Sequence, residues 1–164
     1  GSFSYPDSGM NLAWTGIGQW EDMVNPCALM VYMGAIAGGG EAVLPNIVEP
    51  TSFLDNLKVL PVFGTTSRTK QMIDSSTASS LTEMMANNVV SHYGSENFPG
   101  LDSLCAKTGT AEVGNGKSPH SWFTGFLNDP SNPYAFVVLV ENGGYGIDAA
   151  GSVANQVLQA IVNR

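Results

Sequence analysis

Positive charge is scarce in this chain. Six of its 164 residues are Lys or Arg, against fourteen Asp or Glu, for a formal net charge of −8. A surface so short of cations repels a phosphate backbone, which excludes nucleic acid as a partner. Cysteine is almost absent, with Cys27 and Cys105 alone, too few for a disulfide framework. Both lie in apolar contexts, which predicts two buried free thiols. Neither has a CxxC spacing or a nearby histidine, so no thiol nucleophile and no metal centre is expected. Histidine is equally rare, with His92 and His120. Long hydrophobic runs are missing as well. The apolar stretch 27–37 is broken by Gly34 and falls short of the roughly 20 residues that cross a bilayer. The first residues lack the basic segment and apolar core of a signal peptide. No phosphate loop is present, and "GIGQW" (16–20) lacks the third glycine of a dinucleotide fingerprint, so no cofactor is expected.

What is present is a globular composition, 43% hydrophobic and 12% charged, enough for one domain with a sizeable core. Residues 3–13 read as an irregular lead-in, and "WTGIGQW" (14–20) as a loop packed close to something. "NPCALMVYMGAIAGGG" (25–40) predicts a helix. Asn25 is its N-cap, Pro26 its first residue and Gly38–Gly40 its stop. Apolar residues run round it almost completely, which predicts burial. "EAVLPNIVEP" (41–50) reads as a short extended pair broken by Pro45, and 51–68 is weakly patterned. A second helix is predicted over 74–94, opened by an Asp/Ser cap and closed by Gly94. Strands follow at 103–112, 120–127 and 134–142, the last two separated by the turn signal "NDPSNP". A final amphipathic helix covers 149–164. The predicted class is α+β, an antiparallel sheet flanked by helices. The unbroken run "AFVVLV" suits a strand buried on both faces with a neighbour on each side; only one neighbour, 120–127, is evident in this sequence, a first hint that part of the sheet is missing.

The chemistry concentrates in Lys107-Thr108-Gly109-Thr110. An ammonium, two hydroxyls and a position without a side chain sit together on one strand. The glycine lets a ligand approach the main chain. The strand could hold an extended peptide by edge addition, the hydroxyls and Lys107 a carboxylate, and a backbone N–H just past the glycine an oxyanion. A strand that merely ends in a turn carries the same three letters, so the triplet by itself is a weak signal.

Four segments together resemble the penicillin-binding proteins, whose motif set is S-x-x-K, S-x-N and K-T-G. "KTGTAE" (107–112) is similar to the form usual in the class B, monofunctional members. "SWFTGF" (121–126) resembles the strand after it, "SSLTEMMANNVV" (79–90) the helix before it, and "IGQWEDMVNPCALMVYMGAIAGGG" (17–40) a segment further upstream. The resemblance runs from about residue 12 to the end. It implies a peptidoglycan D,D-transpeptidase, a serine acyltransferase on the extracytoplasmic face of the bacterial membrane and the target of β-lactams. In such an enzyme Lys107 orients and charges the site. Thr108 and Thr110 hydroxyls hold the carboxylate of a β-lactam or of a stem peptide ending in D-Ala-D-Ala, and Gly109 lies beside it. The Thr110 N–H forms half of the oxyanion hole, and the N–H of the nucleophilic serine forms the other half.

That serine is the difficulty. "SRTK" (Ser67 to Lys70) matches S-x-x-K and "SEN" (Ser95 to Asn97) matches S-x-N. S-x-x-K works only when one helical turn brings Ser and Lys to the same face, and "GTTSRTKQM" has no apolar stripe to hold such a helix. Ser95-Asn97 follows a glycine stop and reads as a polar loop. Both are therefore rejected as motifs. The expectation is that residues 1–164 are the C-terminal portion of a transpeptidase domain, inactive alone, with no nucleophile. The missing half would come from another segment, or the exposed sheet edge would drive self-association. The alternatives are a serine β-lactamase-like hydrolase and a non-catalytic peptide-binding module.

Overall fold

The computed structural model describes residues 1–45 and 67–164. Three strands, β1 (Leu104–Ala111), β2 (His120–Leu127) and β3 (Ala135–Val140), form one antiparallel sheet in the order β1-β2-β3. Each lies within two residues of its predicted bounds at either end. The β2–β3 turn is built by Asp129. One of its carboxylate oxygens accepts the Ser131 N–H at 2.9 Å, and the other accepts the Asn132 side-chain amide at 2.9 Å. Those bonds, Asn132's first, hold the Asp129 carboxyl below its ordinary pKa.

The two-residue alternation of β1 and β2 gives the sheet two apolar faces. Leu104, Ala106, Phe123 and Leu127 pack against Phe98, Leu101 and the final helix α4 (Ser152–Val162) through Ala154 and Leu158. Cys105 and Phe126 pack on the other face with Met33 and Ile36 of α2 (Pro26–Ala37) and Met85 of α3 (Ser75–Asn88). The result is helix, sheet, helix, the predicted class. Phe123 is fully buried. It stacks on Phe98 at 5.5 Å and meets Tyr93 edge-on at 5.8 Å. Burying such a ring contributes roughly 1.5–3 kcal/mol, and each aromatic pair about 0.5–1.5 kcal/mol more.

Helix α2 starts as predicted: Asn25 Oδ1 accepts the N–H groups of Cys27 at 2.9 Å and Ala28 at 3.2 Å. Helix α3 runs on through a π-helical turn, Val89–Tyr93, to Gly94 at φ +78. Asp74 stands at its N-cap position, but its side chain makes no capping bond.

Several expectations are corrected. The lead-in contains a helix, α1 (Gly9–Gly16), capped by Ser8, whose Oγ accepts the Asn11 N–H at 3.2 Å. It carries no buried residue, so its sequence has no apolar stripe to announce it. Helix α2 is buried only at Met33, Ala35 and Ile36, because among the described residues it packs on one side alone. Cys27 is exposed, not buried, since it occupies the open first turn of α2; Cys105 is buried as expected. Strand β3 is half-buried along its length and not buried on both faces; among the described residues β2 is its only neighbour, the one evident in the sequence. Of the extended reading over 41–50, Val43 pairs with Arg68 in an isolated bridge; residues 46–50, and 51–66 of the weakly patterned stretch, lie outside the described residues.

Candidate active site

The predicted motif falls on β1, and the register sets its surroundings. Lys107 lies opposite Thr124, Gly109 opposite Trp122 and Ala111 opposite His120. An open groove of about 420 Å³ runs along this part of β1 and is walled on its other side by the loop 17–24. Lys107, Thr108, Gly109 and Thr110 all line it, so the structure brings the four predicted residues together. Asp22 and Glu112 line it as well, so that among the described residues Lys107 is the one Lys or Arg of the groove, beside two carboxylates.

Among the described residues strand β1 is a sheet edge, and side chains occupy four of its outward backbone groups. Asn88 Nδ2 donates to the Ala106 carbonyl at 3.4 Å. The Thr108 N–H donates to the Tyr93 hydroxyl at 3.0 Å, which also lies 3.4 Å from Thr108 Oγ1. Lys107 Nζ folds back to donate to the Thr108 carbonyl at 2.7 Å. Gln19 Nε2 donates to the Thr110 carbonyl at 2.8 Å. Alternation turns the Thr110 N–H the same way as that of Thr108. Among the described residues it alone of the Thr108 and Thr110 edge groups has no partner.

Glycine at 109 has a structural reason of its own. A Cβ there would lie 3.2 Å from Trp122 Cβ. On the opposite face the backbone of Gly146 presses against the same pair of strands: a Cβ on Gly146 would come within 2.7 Å of the Gly109 and Trp122 carbonyls. That contact is held by Ser121, fully buried. Its hydroxyl donates to the Tyr145 carbonyl at 2.9 Å and accepts the Ala150 N–H at 3.0 Å.

Ser67 and Lys70 have no helical relation. Ser67–Thr69 is extended and pairs with 42–44: the Ser67 carbonyl accepts the Leu44 N–H at 2.8 Å, and the Thr69 N–H donates to Ala42 at 2.9 Å. Ser95–Asn97 is a single 3-10 turn, a tighter form of the loop expected there. His120, which lines the groove, accepts the Asn142 N–H on Nδ1 at 3.0 Å.

Sequence reading missed Gln19, Tyr93, Asn88, Ser121 and Gly146 as residues that shape the site. Gln19 had a signal, a polar side chain between apolar neighbours in a two-glycine loop. The others contact β1 only through the tertiary fold.

The profile of the penicillin-binding protein transpeptidase domain matches residues 3–163. The chain belongs to this family. It is 30% identical over 147 residues to the peptidoglycan D,D-transpeptidase PbpA of Mycolicibacterium smegmatis, an alignment that covers 85% of the chain and 28% of that relative. Among solved structures, penicillin-binding protein A from Mycobacterium tuberculosis superposes with a TM-score of 0.76 at 26% identity, over 95% of this chain and 38% of that one. Its imipenem acyl-enzyme complex gives 0.74, again at 26% identity, over 95% and 35%. The transpeptidase-domain fold is thus shared nearly throughout the chain, while the chain spans about a third of the length of these relatives.

Proposed function

We propose that this chain supplies the substrate-holding wall of a peptidoglycan D,D-transpeptidase on the extracytoplasmic face of a bacterial membrane. The observation that carries the reading is the Thr110 N–H, an unpartnered donor among the otherwise engaged edge groups of Thr108 and Thr110, beside Lys107 in the groove of a transpeptidase-family domain. An N–H so placed suits the oxygen of an acyl carbonyl as it gains negative charge. Lys107 and the Thr108 and Thr110 hydroxyls suit the carboxylate of a stem peptide ending in D-Ala-D-Ala, or of a β-lactam. The nucleophilic serine comes from a segment outside this sequence, a reading supported by the extended backbone at Ser67. The missing segment of the same domain would also cover the outer edge of β3. Without it that edge favours self-association.

The engaged groups of that edge bear on the alternative of a peptide-binding module. Simple strand addition needs a run of free N–H and C=O groups, and on β1 three of the four at Thr108 and Thr110 are engaged.

The test is labelling with a fluorescent penicillin, read as a covalent band on a denaturing gel. The full-length parent should label, and Lys107→Ala in it should label far more slowly. The chain alone should not label. A band on the chain alone that Ser67→Ala abolishes would overturn the assignment of the nucleophile. Rapid release of label from the parent would favour a β-lactamase-like hydrolase.

A further inference from the structure

Two hydrogen bonds flank the Gly109–Thr110 peptide, and neither comes from the motif. On its N-terminal side the Tyr93 hydroxyl takes the Thr108 N–H at 3.0 Å. On its C-terminal side Gln19 Nε2 reaches the Thr110 carbonyl at 2.8 Å. Between them the Gly109–Thr110 peptide is held to β2 through the Gly109–Trp122 pair, so these two bonds fix the edge side of the strand, on which the Thr110 N–H projects.

Both partners are themselves anchored. The Gln19 N–H donates to the Trp14 carbonyl at 3.0 Å and the Gly18 N–H to Thr15 at 2.9 Å, which pins the loop to the end of α1. Gly18 and Trp20 on either side have φ of +76 and +72. Positive φ is an outlier for a residue as bulky as Trp, and this reversal is what turns the Gln19 amide onto the strand. Tyr93 is held by Asn97 Nδ2 on its carbonyl at 2.7 Å and by its ring edge-on to the buried Phe123.

We propose that Gln19 and Tyr93 are positioning residues that clamp β1 on both sides of the Gly109–Thr110 peptide and so keep the Thr110 N–H aimed into the groove. This rests on the transpeptidase reading. Neither residue touches the reacting atoms; each acts through the strand. Their loss therefore slows acylation and leaves the initial, non-covalent binding of the ligand intact.

The experiment uses the full-length parent and a fluorescent penicillin, with stopped-flow rates over a concentration series. This separates the dissociation constant of the first complex from the acylation rate constant. Gln19→Ala and Tyr93→Phe should each lower the acylation rate constant by about fivefold, the worth of one neutral hydrogen bond, with the dissociation constant unchanged. Gln19→Glu keeps the shape but donates only when protonated. It should match Gln19→Ala at pH 8 and recover, as a ratio to wild type at the same pH, as the pH falls into the carboxyl range. Tyr93→Phe removes a single oxygen and serves if Gln19→Ala folds poorly. Wild-type acylation rates in both Gln19→Ala and Tyr93→Phe, or in Gln19→Glu at pH 8, would overturn the clamp while leaving the transpeptidase reading standing. An unlabelled wild-type parent would instead overturn that reading, and the clamp with it.

Discussion

Gly146→Ala sets two well-understood effects against each other at the back of the motif strand. Gly146 has φ −57 and ψ −39, ordinary right-handed helical values at which alanine should stabilise by about 0.4–1 kcal/mol through the unfolded state. The folded structure opposes this. A methyl there would lie 2.7 Å from the carbonyl oxygens of both Gly109 and Trp122 and 3.0 Å from the Gly109 nitrogen. All three are backbone atoms of a paired ladder and cannot rotate aside. Overpacking of this kind destabilises by about 1–3 kcal/mol, so the net expectation is a loss of roughly 1–2 kcal/mol. Urea unfolding of the chain reads it directly. Gly9→Ala is the control, because a Cβ on Gly9 meets nothing within 4 Å and should leave stability equal or slightly raised. In the parent, Gly146→Ala should also slow acylation, since relief of the clash moves Gly109 and with it the Thr110 N–H. A Gly146→Ala chain as stable as wild type would refute the close approach of Gly146, at the head of the π-helical turn Ile147–Gly151, to the motif strand.

Three further outcomes follow from the burial of particular groups. Ser121→Ala strands the buried Ala150 N–H and the Tyr145 carbonyl, for an expected loss of about 1–3 kcal/mol; an unchanged urea midpoint would show that the hydroxyl does not hold the loop. The two thiols should separate cleanly, with Cys27 reacting at once with a thiol reagent and Cys105 only on unfolding. Burial raises the Cys105 pKa from 9.0 to about 11. The unfolded thiol therefore loses its proton first. Its contribution to stability is complete below pH 9.0 and is lost as the pH climbs through about 11, at up to about 1.4 kcal/mol per pH unit. Cys105→Ala should lack that part of the slope, and an identical alkaline profile would count against the shift.

The legible parts of this molecule were those written in local pattern. Asn25-Pro26 announced α2 because capping and a fixed φ act within a few residues. "NDPSNP" announced the β2–β3 turn for the same reason, through Asp129. The four groove residues were found because a Lys-Thr-Gly strand carries its chemistry in consecutive positions. Helix α1 was missed because nothing in Met10, Leu12 or Trp14 buries a face, and periodicity reports burial. Strand β3 was legible as an apolar strand beside β2, but its half-burial was not, because an unbroken apolar run states only that water is disfavoured, not which neighbour excludes it.

By itself the sequence determined the class of the fold, the order of its strands, the absence of a basic surface and the position of the motif. Each of these is set by residue type and by spacing within a dozen residues. Only the tertiary structure decided which motif groups find a hydrogen-bond partner. Gln19 is brought to Thr110 from ninety-one positions away, Tyr93 to Thr108 from fifteen, and Gly146 to the back of Gly109 by Ser121. Hydrogen bonds and close approach depend on distance in space, so the open Thr110 N–H exists only once the chain has folded around it.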